Sequence, residues 1–198
     1  MRRPLVYALI ASIVFLSGCT YRWIAQPKNV AAEMRCNPLQ SYPQMLNVPG
    51  FKNAWILVSD CSAYHPERVS VAMSIFMNMW EARFGRSSLV RSNINTILIE
   101  WNTDKKGGAA YSADGQYISS ASFSGLTLTK GTIWVKVKNQ PGRICETSMV
   151  HELVHASIWA LKNTDGDADH LGHKYHGWTT RHSMLIQDVN QLLCRLGI

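Results

Sequence analysis

The chain has 198 residues, of which 46% are apolar and 17% charged. That is the length of one domain plus a short leader, with enough apolar material for a core, which excludes wholesale disorder. The formal charge is +7; without Arg2 and Arg3, which fall in the leader, 18 basic and 13 acidic residues remain, a spread-out +5 with no run of five like charges to suggest a nucleic-acid arm.

The leader comes first. Met1-Arg2-Arg3 is a short positive segment, and residues 5–16 are almost purely apolar. About a dozen apolar residues are too few to span a bilayer comfortably but suit the hydrophobic part of a signal peptide. Leu16-Ser17-Gly18-Cys19 follows and resembles the bacterial lipobox. That resemblance implies a signal peptide over 1–18 and cleavage before Cys19. Cys19 becomes the lipidated, palmitate-bearing N-terminus that holds the protein at a membrane. Position 20 is Thr, not Asp, so in a two-membrane bacterium the expected place is the outer membrane, facing the periplasm.

Residues 19–50 read as a lipidated N-terminus and irregular tether, punctuated by Pro27, Pro38, Pro43, Pro49 and Gly50. Residues 51–198 form the expected domain. Residues 54–59 are a short apolar run, predicted as a buried strand. Residues 66–84 predict a helix, with Pro66 suited to its first turn and Gly85 to its stop. Val69, Met73, Phe76, Met77 and Trp80 recur there at helical spacing and read as core. Residues 94–101 predict a second strand, 104–110 a turn, and 111–128 a loop or hairpin. Residues 132–138 alternate apolar and polar side chains over their second half, which predicts a strand with one wet face. Pro141-Gly142 ends it. Residues 143–161 predict a helix, 162–177 a polar loop, and 179–196 an amphipathic closing helix with Leu185, Val189, Leu192, Leu193 and Leu196 inward.

Apart from Cys19, four cysteines remain: Cys36, Cys61, Cys145 and Cys194. An even number in an exported chain predicts two disulfides. Of the three possible pairings, Cys36–Cys61 with Cys145–Cys194 is the favoured one. No CxxC spacing suggests a redox or cysteine-rich metal site.

The chemistry concentrates in His151-Glu152-Leu153-Val154-His155. Two histidines four apart on a helix differ by about 40° around its axis, so both imidazoles leave one face. One tetrahedral metal ion, Zn2+ above all, can take both. Glu152 stands beside the first ligand and can reach a water at the metal without binding the metal itself. It would take that water's proton as the water attacks a carbonyl. Val150, Leu153, Val154 and Ala156 are small or apolar, as a buried active-site helix requires.

An alternating strand followed by an HExxH helix resembles the zincin peptidases. The resemblance implies an α+β fold in which a small mixed sheet packs on the HExxH helix and a C-terminal helix. It further implies that residues 132–138 are the edge strand to which an extended peptide substrate pairs. The third ligand lies elsewhere. A metzincin would need Gly and His where Ile158 and Leu161 stand, and a gluzincin would need a downstream Glu, but none follows Glu152. Asp165, Asp167, Asp169 and Asp188 are available, as are His170, His173, His176 and His182; a histidine is expected. Residues 130–190 resemble the SprT-like peptidases in layout: HExxH, an acidic loop, then a ligand histidine opening a helix. His173 is preferred as third ligand, His176 is the alternative, and His170 ranks third. Asp165, Asp167 and Asp169 sit at calcium-loop spacing, but His170 and His176 replace the Gly and Glu that such a loop needs. Tyr111 and Tyr175 are candidate oxyanion donors.

The expected function is a membrane-anchored zinc metallopeptidase acting on a protein or peptide substrate. No nucleic acid is expected as partner, because an envelope protein meets no chromosome. The rival readings are a cell-wall peptide amidase and a non-catalytic zinc-binding or assembly lipoprotein.

Overall fold

The computed structural model describes residues 24–26, 44–58, 66–102, 109–111, 117–120, 125–136, 143–163 and 177–198. In chain order the strands and helices are β1 (Ile24–Gln26), β2 (Gln44–Asn47), β3 (Trp55–Val58), α1 (Pro66–Phe84), α2 (Ser88–Ile94), β4 (Leu98–Asn102), β5 (Ala109–Tyr111), β6 (Tyr117–Ser120), β7 (Gly125–Thr129) and β8 (Thr132–Lys136). A single 3-10 turn, Ile144–Glu146, leads into α3 (Met149–Lys162), and α4 (Thr180–Arg195) closes the chain. The described part is therefore α+β, with a five-stranded mixed sheet and four helices. Cys19, Cys36 and Cys61, with the lipidation and the first disulfide expected of them, lie outside the described residues.

The strand order in the larger sheet is β2-β3-β4-β8-β7. The central three, β3, β4 and β8, run parallel, and an antiparallel strand flanks them on each side. Period-2 alternation puts Ile56, Val58, Ile99, Trp101, Ile133 and Val135 on one face, and all six are buried in the core. Each such side chain contributes about 1.5–3 kcal/mol when fully removed from water. A smaller sheet, in the order β1-β5-β6, is antiparallel throughout.

α1 has the bounds expected of it. Its stripe of Val69, Met73, Phe76, Met77 and Trp80 is buried, joined by Ala72. Gly85 ends it at a φ of +87°, a conformation that favours glycine. α3 and α4 also fall where helices are expected, although α3 starts later because residues 144–146 wind as a 3-10 turn. Cys145 in that turn is disulfide-bonded to Cys194 in the last turn of α4, with Cα atoms 5.4 Å apart, as the favoured pairing has it. The closing residue Ile198 reinforces the tie by accepting a hydrogen bond from the Cys145 amide.

Three expectations need correction. The supposed irregular tether contains β1, which pairs antiparallel with β5, and also a second strand, β2, which pairs antiparallel with β3. Proline and glycine on both sides of four residues hid β2. Residues 94–101 are not one strand: Ile94 ends α2, whose first turn is capped by the Ser87 hydroxyl, and the strand begins at Leu98. An unbroken apolar run does not reveal where a helix hands over to a strand. Third, β8 is no edge and has no wet face along its middle. It is paired to β4 on one side and β7 on the other, and Ile133, Trp134 and Val135 are all buried. Among the described residues the antiparallel edge on that side is β7.

Candidate metal centre

α3 carries the motif because nearly every position from Met149 to Ile158 faces protein. Met149, Val150, Leu153, Val154 and Ala156 are fully buried, and the helix is wedged against β7, β8, α2 and α4. It stops at Asn163, whose φ of 54° is the left-handed conformation that closes a helix. On this scaffold Glu152 and His155 are each only 4% exposed, and His151 is half-buried.

The two histidines converge. The Nε2 atoms of His151 and His155 are 3.0 Å apart. Two imidazole nitrogens bound tetrahedrally to one zinc, each at 2.0–2.1 Å, sit about 3.3 Å apart. The pair is therefore set at close to the separation that a shared cation demands. Trp178 walls it on one side, with its ring centroid 5.2 Å from that of His151 and 4.7 Å from that of His155. The indole is itself fixed, because its Nε1 donates to Ser183 Oγ at 3.1 Å. Gly177 makes this placement possible. Its φ of +90° is one that L side chains rarely adopt, and an added Cβ would lie 3.4 Å from Ile158 of α3. The chain thus returns against α3 and lays the next residue, Trp178, over the histidines.

Glu152 points toward β7. Its Oε2 accepts a hydrogen bond from Thr127 Oγ1 at 2.9 Å, and the same hydroxyl lies 3.2 Å from the Glu152 carbonyl oxygen. Two residues earlier on the same face of the strand, Gly125 passes directly over the carboxylate. A Cβ there would stand 2.6 Å from Glu152 Oε1 and would collide with Ser148 Oγ as well. Only a glycine lets the strand come this close. Neither Thr127 nor Gly125 was visible as a site residue in the sequence. A Gly-x-Thr in a Ser/Gly-rich stretch carries no signal until the strand is placed against the helix.

His182 and Asp188, available in sequence as ligands, are otherwise engaged. His182 lies at the third position of α4, where its Nδ1 accepts the Thr179 amide at 2.9 Å, half of a capping box. Its ring packs on Phe84 at 4.4 Å and on Trp80 at 5.6 Å. Burial, with the neighbouring Arg181 charge adding to it, holds His182 down to about 4. Asp188 pairs with Arg83 at 2.5 Å and ties α4 to α1.

Among the described residues no third His, Cys, Asp or Glu joins the two histidines as a metal-ligand group. His170, His173, His176, Tyr175 and the three loop aspartates lie outside the described residues, and so does the side chain of Tyr111. The segment that holds them leaves α3 at Asn163 and re-enters at Gly177, beside Ile158 and Lys162, so both its ends sit on the motif helix. The chain matches no family model, no curated protein and no solved structure. A functional reading therefore rests on the site itself.

Proposed function

We propose that the protein is a zinc metallopeptidase that cleaves peptide bonds at the α3 site. The observation that carries this reading is the 3.0 Å approach of the His151 and His155 Nε2 atoms, with the buried Glu152 carboxylate one residue off their row. Two neutral imidazole nitrogens that close hold one proton or one cation between them. The nitrogen donor set suits zinc. His151 and His155 would hold it, with a third ligand from the loop between Asn163 and Gly177, His173 foremost and His176 second. The zincin-like character of the fold belongs to the same proposal. So does the role of β7, in place of β8, as the strand beside which an extended peptide lies.

Bound zinc supplies a Lewis acid that acidifies a water and polarises a carbonyl. The rest is the work of the chain. Glu152 accepts the proton of the attacking water on its carboxylate. As the C–N bond breaks, it returns that proton to the leaving amine. Its position in the first turn of α3 favours negative charge before the proton arrives. Trp178 and the buried flank of α3 keep bulk water from the histidines, which strengthens each electrostatic contact there. The envelope location is proposed from the Leu16–Cys19 box alone. No described helix is long and apolar enough to cross a membrane.

The test is Glu152→Gln in the full-length chain, assayed on fluorescein-labelled casein. The variant keeps its zinc and loses about 10²–10⁴-fold in hydrolysis, the usual contribution of a general base. Undiminished hydrolysis would remove Glu152 from the mechanism. A second reading is favoured by the same distance: 3.0 Å also suits a plain imidazole–imidazole hydrogen bond, in which case the pair is structural and the purified protein carries no zinc.

A further inference from the structure

The strand that overhangs the site does more than cover it. Thr127 lies on β7, three positions of which are fixed in direction by the pairing with β8: Gly125 opposite Val135, Leu126 opposite Trp134 and Thr127 opposite Ile133. Immediately after Thr127 the register shifts, so that Thr129 and not residue 128 stands opposite Thr132. A bulge of this kind re-aims the side chain beside it. Thr127 is also β-branched, so its hydroxyl has few directions open to it. The direction taken is toward Glu152, at 2.9 Å from Oε2 and 3.2 Å from the main-chain oxygen of the same residue. One hydroxyl thus spans both ends of a single glutamate. Gly125, by leaving no Cβ in the way, allows the carboxylate to lie flat against the strand.

We propose that Thr127 is the positioning residue for Glu152: its hydroxyl, held in direction by β7, selects one carboxylate rotamer by bonding Oε2. The role rests on the peptidase reading of the same site. Metal holding thus belongs to α3, and base orientation belongs to β7. A glutamate side chain has three rotatable bonds, and an untethered one spends only part of its time where a proton can be taken. The hydroxyl removes that loss.

The experiment compares Thr127→Val and Thr127→Ser with the wild-type full-length chain. Valine keeps the shape of threonine and deletes the donor; serine keeps the donor and deletes the methyl. Hydrolysis of fluorescein-labelled casein is measured alongside zinc content and the carboxyl-carbon NMR signal of Glu152, assigned by its loss in Glu152→Gln. In Thr127→Val, kcat falls about ten- to a hundred-fold, the range for groups that orient an active-site residue, while KM and zinc content hold. The Glu152 signal moves. Serine restores both kcat and the signal. A valine variant with wild-type kcat, or a serine variant as impaired as valine, overturns the positioning role and leaves the peptidase reading standing. A wild-type chain that binds zinc but hydrolyses nothing overturns both, and is told apart because it fails before any Thr127 variant is compared.

Discussion

Two buried histidine environments lie side by side in this molecule, and Trp178 touches both. At one, the His151 and His155 rings bring their Nε2 atoms within 3.0 Å of each other. At the other, 5.9 Å from the same indole, the His182 ring is enclosed by Trp80 and Phe84, and its Nδ1 accepts the Thr179 amide. An amide can be accepted only by an unprotonated nitrogen, so burial and the cap agree in keeping His182 neutral. The difference lies in what the ring nitrogens meet. A histidine whose nitrogen serves a helix cap is structural, however aromatic its surroundings. Two whose nitrogens meet each other are, on the proposed reading, the place for a cation.

The contrast between the two environments breaks most strongly at the wall they share. Trp178→Ala removes a buried indole from both at once and costs about 3–5 kcal/mol of stability, read by chemical denaturation. It also weakens zinc binding, read by competition with a chelator. Lost stability with unchanged zinc affinity would mean that the indole serves only the core.

Next in size is the Cys145–Cys194 bond, which ties the turn before α3 to the end of α4. Replacing both cysteines by serine costs about 2–4 kcal/mol, a typical value for a disulfide. The loss falls on the fold as a whole, so the zinc stoichiometry of the folded protein is kept. Loss of zinc at temperatures where the variant remains folded would place the bond within the site.

The smallest effect sharpens the contrast. Burial holds His182 at about 4, below the ordinary histidine value. Between pH 6.5 and 4 the unfolded chain binds a proton there and the folded chain does not. Stability is therefore full above the ordinary histidine value and falls as pH drops through that window. His182→Gln can still cap α4 but does not titrate, so its melting temperature declines less steeply on acidification than that of the wild type. Glu100, raised by burial, acts in the opposite sense but equally in both proteins, so the difference isolates His182. Parallel slopes would show that His182 does not titrate as described.

What was legible in the sequence follows the same division. α1, α3 and α4 were readable because helical periodicity and stop signals such as Gly85 are local. So was the convergence of His151 and His155, which needs only about 3.6 residues per turn. The Cys145–Cys194 pairing could be favoured, but spacing alone left the other pairings open. The place of β8 was not legible, because whether a strand is central or at an edge depends on partners far away in sequence. Gly125 and Thr127 stayed hidden for that reason: their meaning comes from Glu152, which a different element carries. His182 and Asp188 could be counted as ligands until their contacts with Thr179 and Arg83 were seen.

The most direct test of the central claim is the zinc content of the purified full-length chain, measured by elemental analysis against protein concentration. One zinc per chain is expected in the wild type, retained in Glu152→Gln and lost in His155→Ala. A wild-type chain that takes up no zinc even when the metal is supplied would contradict the claim, and would leave His151 and His155 as a hydrogen-bonded pair in the core.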